Sequence, residues 1–171
     1  MIDVMSSKRR LGRALGAALV LATTALAGSA AAQGGGPGSF RGLGDLPGGI
    51  FYSEANAVSG DGTVVVGASR SARGTEAFRW TSDGGMFGLG DLSGGSFFSR
   101  AWDVSPDGTS VAGEGSSMNG NEAFLWDDMA GLRGLGDLSG GDFSSAAFGA
   151  SFAGGVVVGR GQADDRTDQA F

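Results

Sequence analysis

Gly42-Leu43-Gly44-Asp45-Leu46 returns as Gly88-Leu89-Gly90-Asp91-Leu92 and again as Gly134-Leu135-Gly136-Asp137-Leu138, at a step of 46 residues. The intervening sequence recurs at the same step. A glycine pair follows each time (Gly48-Gly49, Gly94-Gly95, Gly140-Gly141), then an aromatic (Phe51, Phe97, Phe143), a serine (Ser53, Ser99, Ser145) and an alanine (Ala55, Ala101, Ala147). Asp61-Gly62 matches Asp107-Gly108, whereas the third copy has Ala153-Gly154. Val64-Val65-Val66-Gly67 corresponds to Ser110-Val111-Ala112-Gly113 and Val156-Val157-Val158-Gly159. Glu76-Ala77-Phe78-Arg79-Trp80 corresponds to Glu122-Ala123-Phe124-Leu125-Trp126, and the third copy reaches Gln169-Ala170-Phe171 one residue late. Self-similarity at a fixed period means that one structural unit is reused.

Each copy contains four short strand-like runs, exemplified by Glu54 to Ser59, Thr63 to Ala68, Glu76 to Thr81 and Met86 to about Leu89. Turn residues separate them: Asp61-Gly62 between the first two, Ser82-Asp83-Gly84-Gly85 between the last two. The period of two puts Phe78 and Trp80 on one face, and Phe124 and Trp126 likewise, so all four rings are expected inside. Arg79 becomes Leu125, which reads as an outward, tolerant position. The 35 glycines would suit a disordered chain, but they fall at fixed columns; those at 42, 44, 48 and 49 read as turn and close-approach positions. Four antiparallel strands in this length match one β-propeller blade. The expected fold is therefore all-β, an open or partial β-propeller-like array of units over about 42–87, 88–133 and 134–171. The third unit stops at Phe171, before the tryptophan that ends Ala-Phe-x-Trp in the earlier copies. The sequence is thus expected to be a fragment whose open strand edges invite self-association.

Residues 1–32 read as a cleaved signal peptide: a basic start (Lys8, Arg9, Arg10, Arg13), an apolar run from Ala14 to Ala27, and Ala30-Ala31-Ala32 before Gln33. Residues 33–39 are a glycine-rich lead-in, and 40–171 the repeat domain. Removing Lys8, Arg9, Arg10, Arg13 and Asp3 from the 12 basic and 18 acidic residues leaves 8 and 17, a net charge of −9. Such a surface disfavours nucleic acid and anionic lipid, and no membrane insertion of the mature domain is expected. The chain has no cysteine, so an exported product would depend on packing between units.

The string from Gly42 to Trp80 resembles the HAF-type extracellular repeat of bacteria. Leu43 to Gly49, Ser53 to Gly62, Val64 to Gly67 and Ala77 to Trp80 carry the likeness. That unit has a histidine where this chain has Glu76, Glu122 and Gln169. The resemblance spans about residues 40 to 171 and implies a secreted or surface-displayed, propeller-like protein with no established reaction.

The recurring Asp45, Asp91 and Asp137 could serve calcium, but no dense run of alternating aspartates accompanies them. The simpler reading is a carboxylate capping its own turn, and no cofactor is expected. Asp127-Asp128 and Asp164-Asp165 are adjacent, and neighbours on a strand or loop point apart rather than face each other across a cleft as a glycosidase pair must. Beyond residue 32 there is no His, Cys or Lys to pair with a nucleophile. Trp80 and Trp126 read as core rather than sugar platforms. One column varies while its neighbours repeat: Asn56, Trp102 and Phe148, the candidate binding column. The expectation is a non-enzymatic extracellular module that binds polysaccharide or protein; the competing reading is a propeller-type polysaccharide lyase or hydrolase.

Overall fold

The computed structural model describes residues 40–164 and 167–171. The signal peptide and lead-in expected over 1–39 lie outside the described residues, as do Asp165 and Arg166. What is described is all-β, with one short 3-10 turn at Phe152–Gly154. β1 (Gly48–Val58), β2 (Val64–Ser71), β3 (Thr75–Thr81) and β4 (Gly85–Gly88) form an antiparallel group. β5 (Gly94–Val104), β6 (Ser110–Ser117), β7 (Asn121–Asp127) and β8 (Gly131–Gly136) form a second. β9 (Gly140–Ala150), β10 (Val157–Ala163) and β11 (Asp168–Ala170) form a third. The first strand begins at Gly48, well before the run from Glu54 expected in sequence, because its glycine start pairs across a register break, Gly48 with Ser71 and then Ser53 with Ser69.

The groups join at β3 and β7. The second half of β3 carries β4, while Thr75 pairs in parallel with Phe98 of β5. Asn121 of β7 pairs with Ser144 of β9 in the same way. The result is one mixed sheet of 11 strands that is not closed. The late third copy keeps its register: Gly159 and Phe171 exchange both backbone hydrogen bonds, and Gly161 pairs with Gln169 as Gly115 does with Glu122. The extra residue therefore falls in the connection between β10 and β11.

The core lies between groups. Val64, Val66 and Ala77 of the first pack with Ala101, Val104, Val111, Phe124 and Trp126 of the second. Ala112, Ala123 and Leu125 of the second pack with Ala147, Ala150 and Val157 of the third. Burying a side chain such as Phe124 is worth about 1.5–3 kcal/mol. Backbone hydrogen bonds reinforce both seams. Ala77 N–H donates to Ser99 Oγ (2.9 Å) and Ala123 N–H to Ser145 Oγ (2.9 Å). Gly90 N–H donates to Glu76 Oε1 (3.1 Å) and Gly136 N–H to Glu122 Oε1 (3.0 Å). Glu76 and Glu122 thus tie one group to the next.

Three expectations need correction. Trp80 is half-buried under the Arg41 guanidinium, 6.0 Å from the ring centroid, whereas Trp126 is inside; the difference is the preceding group, which covers Trp126. The Arg79/Leu125 column is not outward. It faces the next group's turn, where an Arg79 nitrogen donates to Gly108 O (3.2 Å) and Leu125 is buried beside Gly154. Of the four glycines, Gly44 and Gly48 take positive φ (91° and 89°) and Gly49 lies too close to Arg70 O for a side chain, but Gly42 has open space around it.

Candidate binding site

The site begins with a defect in the ladder. In β1, Ala55 pairs with Gly67 and Ala57 with Val66, so Asn56 is left over. In β5, Ala101 pairs with Gly113 and Asp103 with Ala112, leaving Trp102. In β9, Ala147 pairs with Gly159 and Gly149 with Val158, leaving Phe148. The varying column is a β-bulge in every copy. A bulged residue escapes the pairing that constrains its neighbours, and bulges re-aim side chains, often beside functional sites. Glycine opposite the bulge is compulsory: a Cβ on Gly113 would collide with Arg100 O and the Phe124 ring.

Each of the first two bulged residues reaches toward the next strand. Asn56 Nδ2 donates to Ala101 O (2.8 Å), one residue before Trp102. Trp102 and Phe148 pack edge to face, with centroids 6.1 Å apart and planes at 67°, within the favourable range for aromatic pairs. Phe148 stays 47% exposed. Two positions back, the Arg100 guanidinium sits 5.1 Å from the Trp102 ring centroid and its Nε lies 3.3 Å from Glu54 Oε1. That ion pair lacks hydrogen-bond alignment, since among the described residues Arg100 Nε is buried without a hydrogen-bond partner, as is Trp102 Nε1. Tyr52 Oη donates to Glu54 Oε2 (3.0 Å), and this carboxylate is the leading cause that pushes the Tyr52 phenol up from its ordinary value. Tyr52, Glu54, Arg100, Trp102 and Phe148 thus form a ladder of ring, ion pair and rings over the first strands of three groups. The sequence reading missed Tyr52, Glu54 and Arg100. Their signal was present: columns 52/98/144 (Tyr, Phe, Ser) and 54/100/146 (Glu, Arg, Ala) also vary, at a period of two from the bulge.

The recurring aspartates reach beyond their own turns, although Asp137 Oδ1 also accepts Leu138 N–H (2.8 Å) locally, as a turn cap does. Asp45 Oδ2 accepts Tyr52 N–H (3.1 Å), Asp91 Oδ2 accepts Phe98 N–H (3.0 Å) and Asp137 Oδ2 accepts Ser144 N–H (2.6 Å). These donors are freed by the register break at the start of each first strand, so each carboxylate replaces a missing ladder partner and fixes the strand that carries the bulge. Asp127 accepts Met129 and Ala130 N–H and pairs with Arg133, the first cause holding its carboxyl below the usual range. Asp164 is exposed, Asp165 is outside the described residues, and no group of three acidic side chains gathers at one point among the described residues.

One cleft, of about 330 Å³, lies elsewhere, between Leu135, Asp137, Leu138, Val157 and Phe171. The ladder is an open surface, a geometry suited to an extended ligand. No protein-family model, no curated protein and no solved structure matches this chain. Among the described residues no helix is long and apolar enough to cross a membrane.

Proposed function

We propose that the chain is a non-enzymatic, exported repeat module of the HAF type, a partial β-propeller whose first-strand face binds a neutral polysaccharide. The observation that carries this reading is the bulge at the same place in three strands, which brings Trp102 and Phe148 together beside Arg100 and Tyr52. Aromatic faces supply apolar contact to sugar rings, and the guanidinium, phenol and carboxylate supply hydrogen bonds. Neutrality of the ligand follows from charge. The net charge of −9 beyond residue 32 repels polyanions, and Glu54 already balances Arg100.

Titration with a panel of neutral and acidic polysaccharides, read by calorimetry and tryptophan fluorescence, tests this. Binding should be confined to neutral glycans and should weaken at least about tenfold in Trp102→Ala, the loss expected for a central aromatic anchor. Full binding by Trp102→Ala, or binding of protein ligands alone, would remove the reading. Release of new chain ends during the titration would replace it with a polysaccharide lyase or hydrolase.

A further inference from the structure

The two outer faces of the array are complementary halves of a junction that occurs twice inside it. At the first seam Val64 and Val66 are 4% and 0% exposed, covered by the second group. Their counterparts on the last group, Val156 and Val158, are 62% and 52% exposed. On the receiving side, Ala101 and Val104 are buried at 0% and 4%. Their counterparts on the first group, Ala55 and Val58, are exposed, Val58 at 57%. Contiguous exposed apolar faces of this kind mark interaction surfaces.

The polar half of the junction is present too. Inside the array an alanine N–H reaches a serine hydroxyl of the next group, and a glycine N–H of that group reaches back to a glutamate. At the far end the corresponding residues are Ala170 and Gln169, both exposed. Ala170 adjoins the bonded pair Gly159–Phe171, so alternation in an antiparallel ladder turns its N–H away from β10. At the near end stand exposed Ser53 and Gly44, with the Ser53 hydroxyl donating to Gly44 O (2.8 Å), the same preparation that Ser99 and Ser145 make at Gly90 and Gly136. The Gln169 amide oxygen accepts a hydrogen bond as a glutamate oxygen does.

We propose that this chain binds a second copy of itself head to tail, the β10–β11 face of one molecule seating on the β1 face of the next. The contact repeats the β3–β5 and β7–β9 seams, with Val156 and Val158 entering the space beside Ala55 and Val58. Because the two surfaces differ, the interface is heterologous. Each added molecule presents a fresh face, and growth stops only when a ring closes. This inference does not depend on the ladder having a ligand; glycan binding and self-association are read separately.

Sedimentation velocity over a concentration series of this chain tests it. Wild type should form species at whole-number multiples of the chain mass that grow with concentration. Val158→Asp blocks one face and Val58→Asp the other, each weakening association by about 100-fold or more, as expected of an uncompensated carboxylate in an apolar contact. Both positions are exposed, and circular dichroism melts verify that the variants fold. Each variant alone should be monomeric. An equimolar mixture should give a species of two chains and nothing larger, because one intact head then meets one intact tail. A wild type that stays monomeric throughout, variants that associate like wild type, or a mixture that stays monomeric would each overturn the proposal.

Discussion

Single residues decide how well each aspartate is satisfied. Asp45 Oδ1 is bonded by the Ser69 hydroxyl, and Asp137 Oδ1 accepts Gln162 N–H at 3.1 Å. Between them, Gly115 stands where Ser69 does, and Asp91 Oδ1 is buried without a hydrogen-bond partner among the described residues. Burial is the first cause that pushes the Asp91 carboxyl up from its ordinary range. A raised folded-state pKa favours folding below the unfolded value and loses that contribution as pH rises through the folded one. Gly115→Ser should therefore stabilise the chain by about 1 kcal/mol at neutral pH, the net worth of one hydrogen bond to a previously unsatisfied acceptor. A Cβ there would lie 3.2 Å from Phe98 O and 3.3 Å from Asp91 Oδ1, a fit that Ser69 already achieves beside Tyr52 O and Asp45. Urea denaturation at pH 7 measures the change; a destabilised variant would show that the strand cannot give way at this position.

At the scale of the element, the turns between first and second strands contribute to the acid response alongside Asp127. Asp61 accepts Thr63 N–H (3.0 Å) and the Ser59 and Thr63 hydroxyls (2.7 and 2.9 Å), and the Thr63 N–H is the first cause that pulls its pKa down to about 2. Asp107 is lowered as well, first by the Ser105 hydroxyl. The third turn has Ala153 at φ +53° in place of the aspartate. A depressed folded-state pKa gives stability that is complete above the unfolded value and lost as pH falls through the folded one. Melting temperature should accordingly drop between about pH 4 and pH 2. Asp61→Asn keeps an acceptor in the turn but removes the titration, so its acid limb should be shallower. An unchanged slope in thermal melts across that range would place the acid sensitivity elsewhere.

For the whole molecule, stability is set by contact between groups, and position in the array matters as much as residue type. Trp80 and Trp126 occupy the same column, yet Trp126 is 8% exposed beneath the first group while Trp80 is half-buried under Arg41. Trp126→Ala should cost about 3–5 kcal/mol, as truncation of a buried aromatic does. Trp80→Ala should cost less than half of that, because fewer apolar contacts are lost. Equal losses in chemical denaturation would mean that something covers both rings alike.

The recurring unit, its strands and its turns are legible in the residues alone, because they follow from local patterning: alternation at Phe78 and Trp80, Asp-Gly at 61–62, and a step shared by the repeated columns. The sequence also marked Asn56, Trp102 and Phe148, since a column that varies amid constant neighbours is visible without coordinates. Why that column is free depends on how the strands pair in space. The bulge is a property of pairing between two strands, with Ala101 and Asp103 meeting consecutive residues of β6 so that Trp102 has no opposite number. The same limit hid the work of Asp45, which bonds a backbone N–H seven residues on rather than its own turn, and of Arg79, which reaches into the next group. Those partners are distant in sequence, and nothing in a residue's own stretch records which strand will lie beside it.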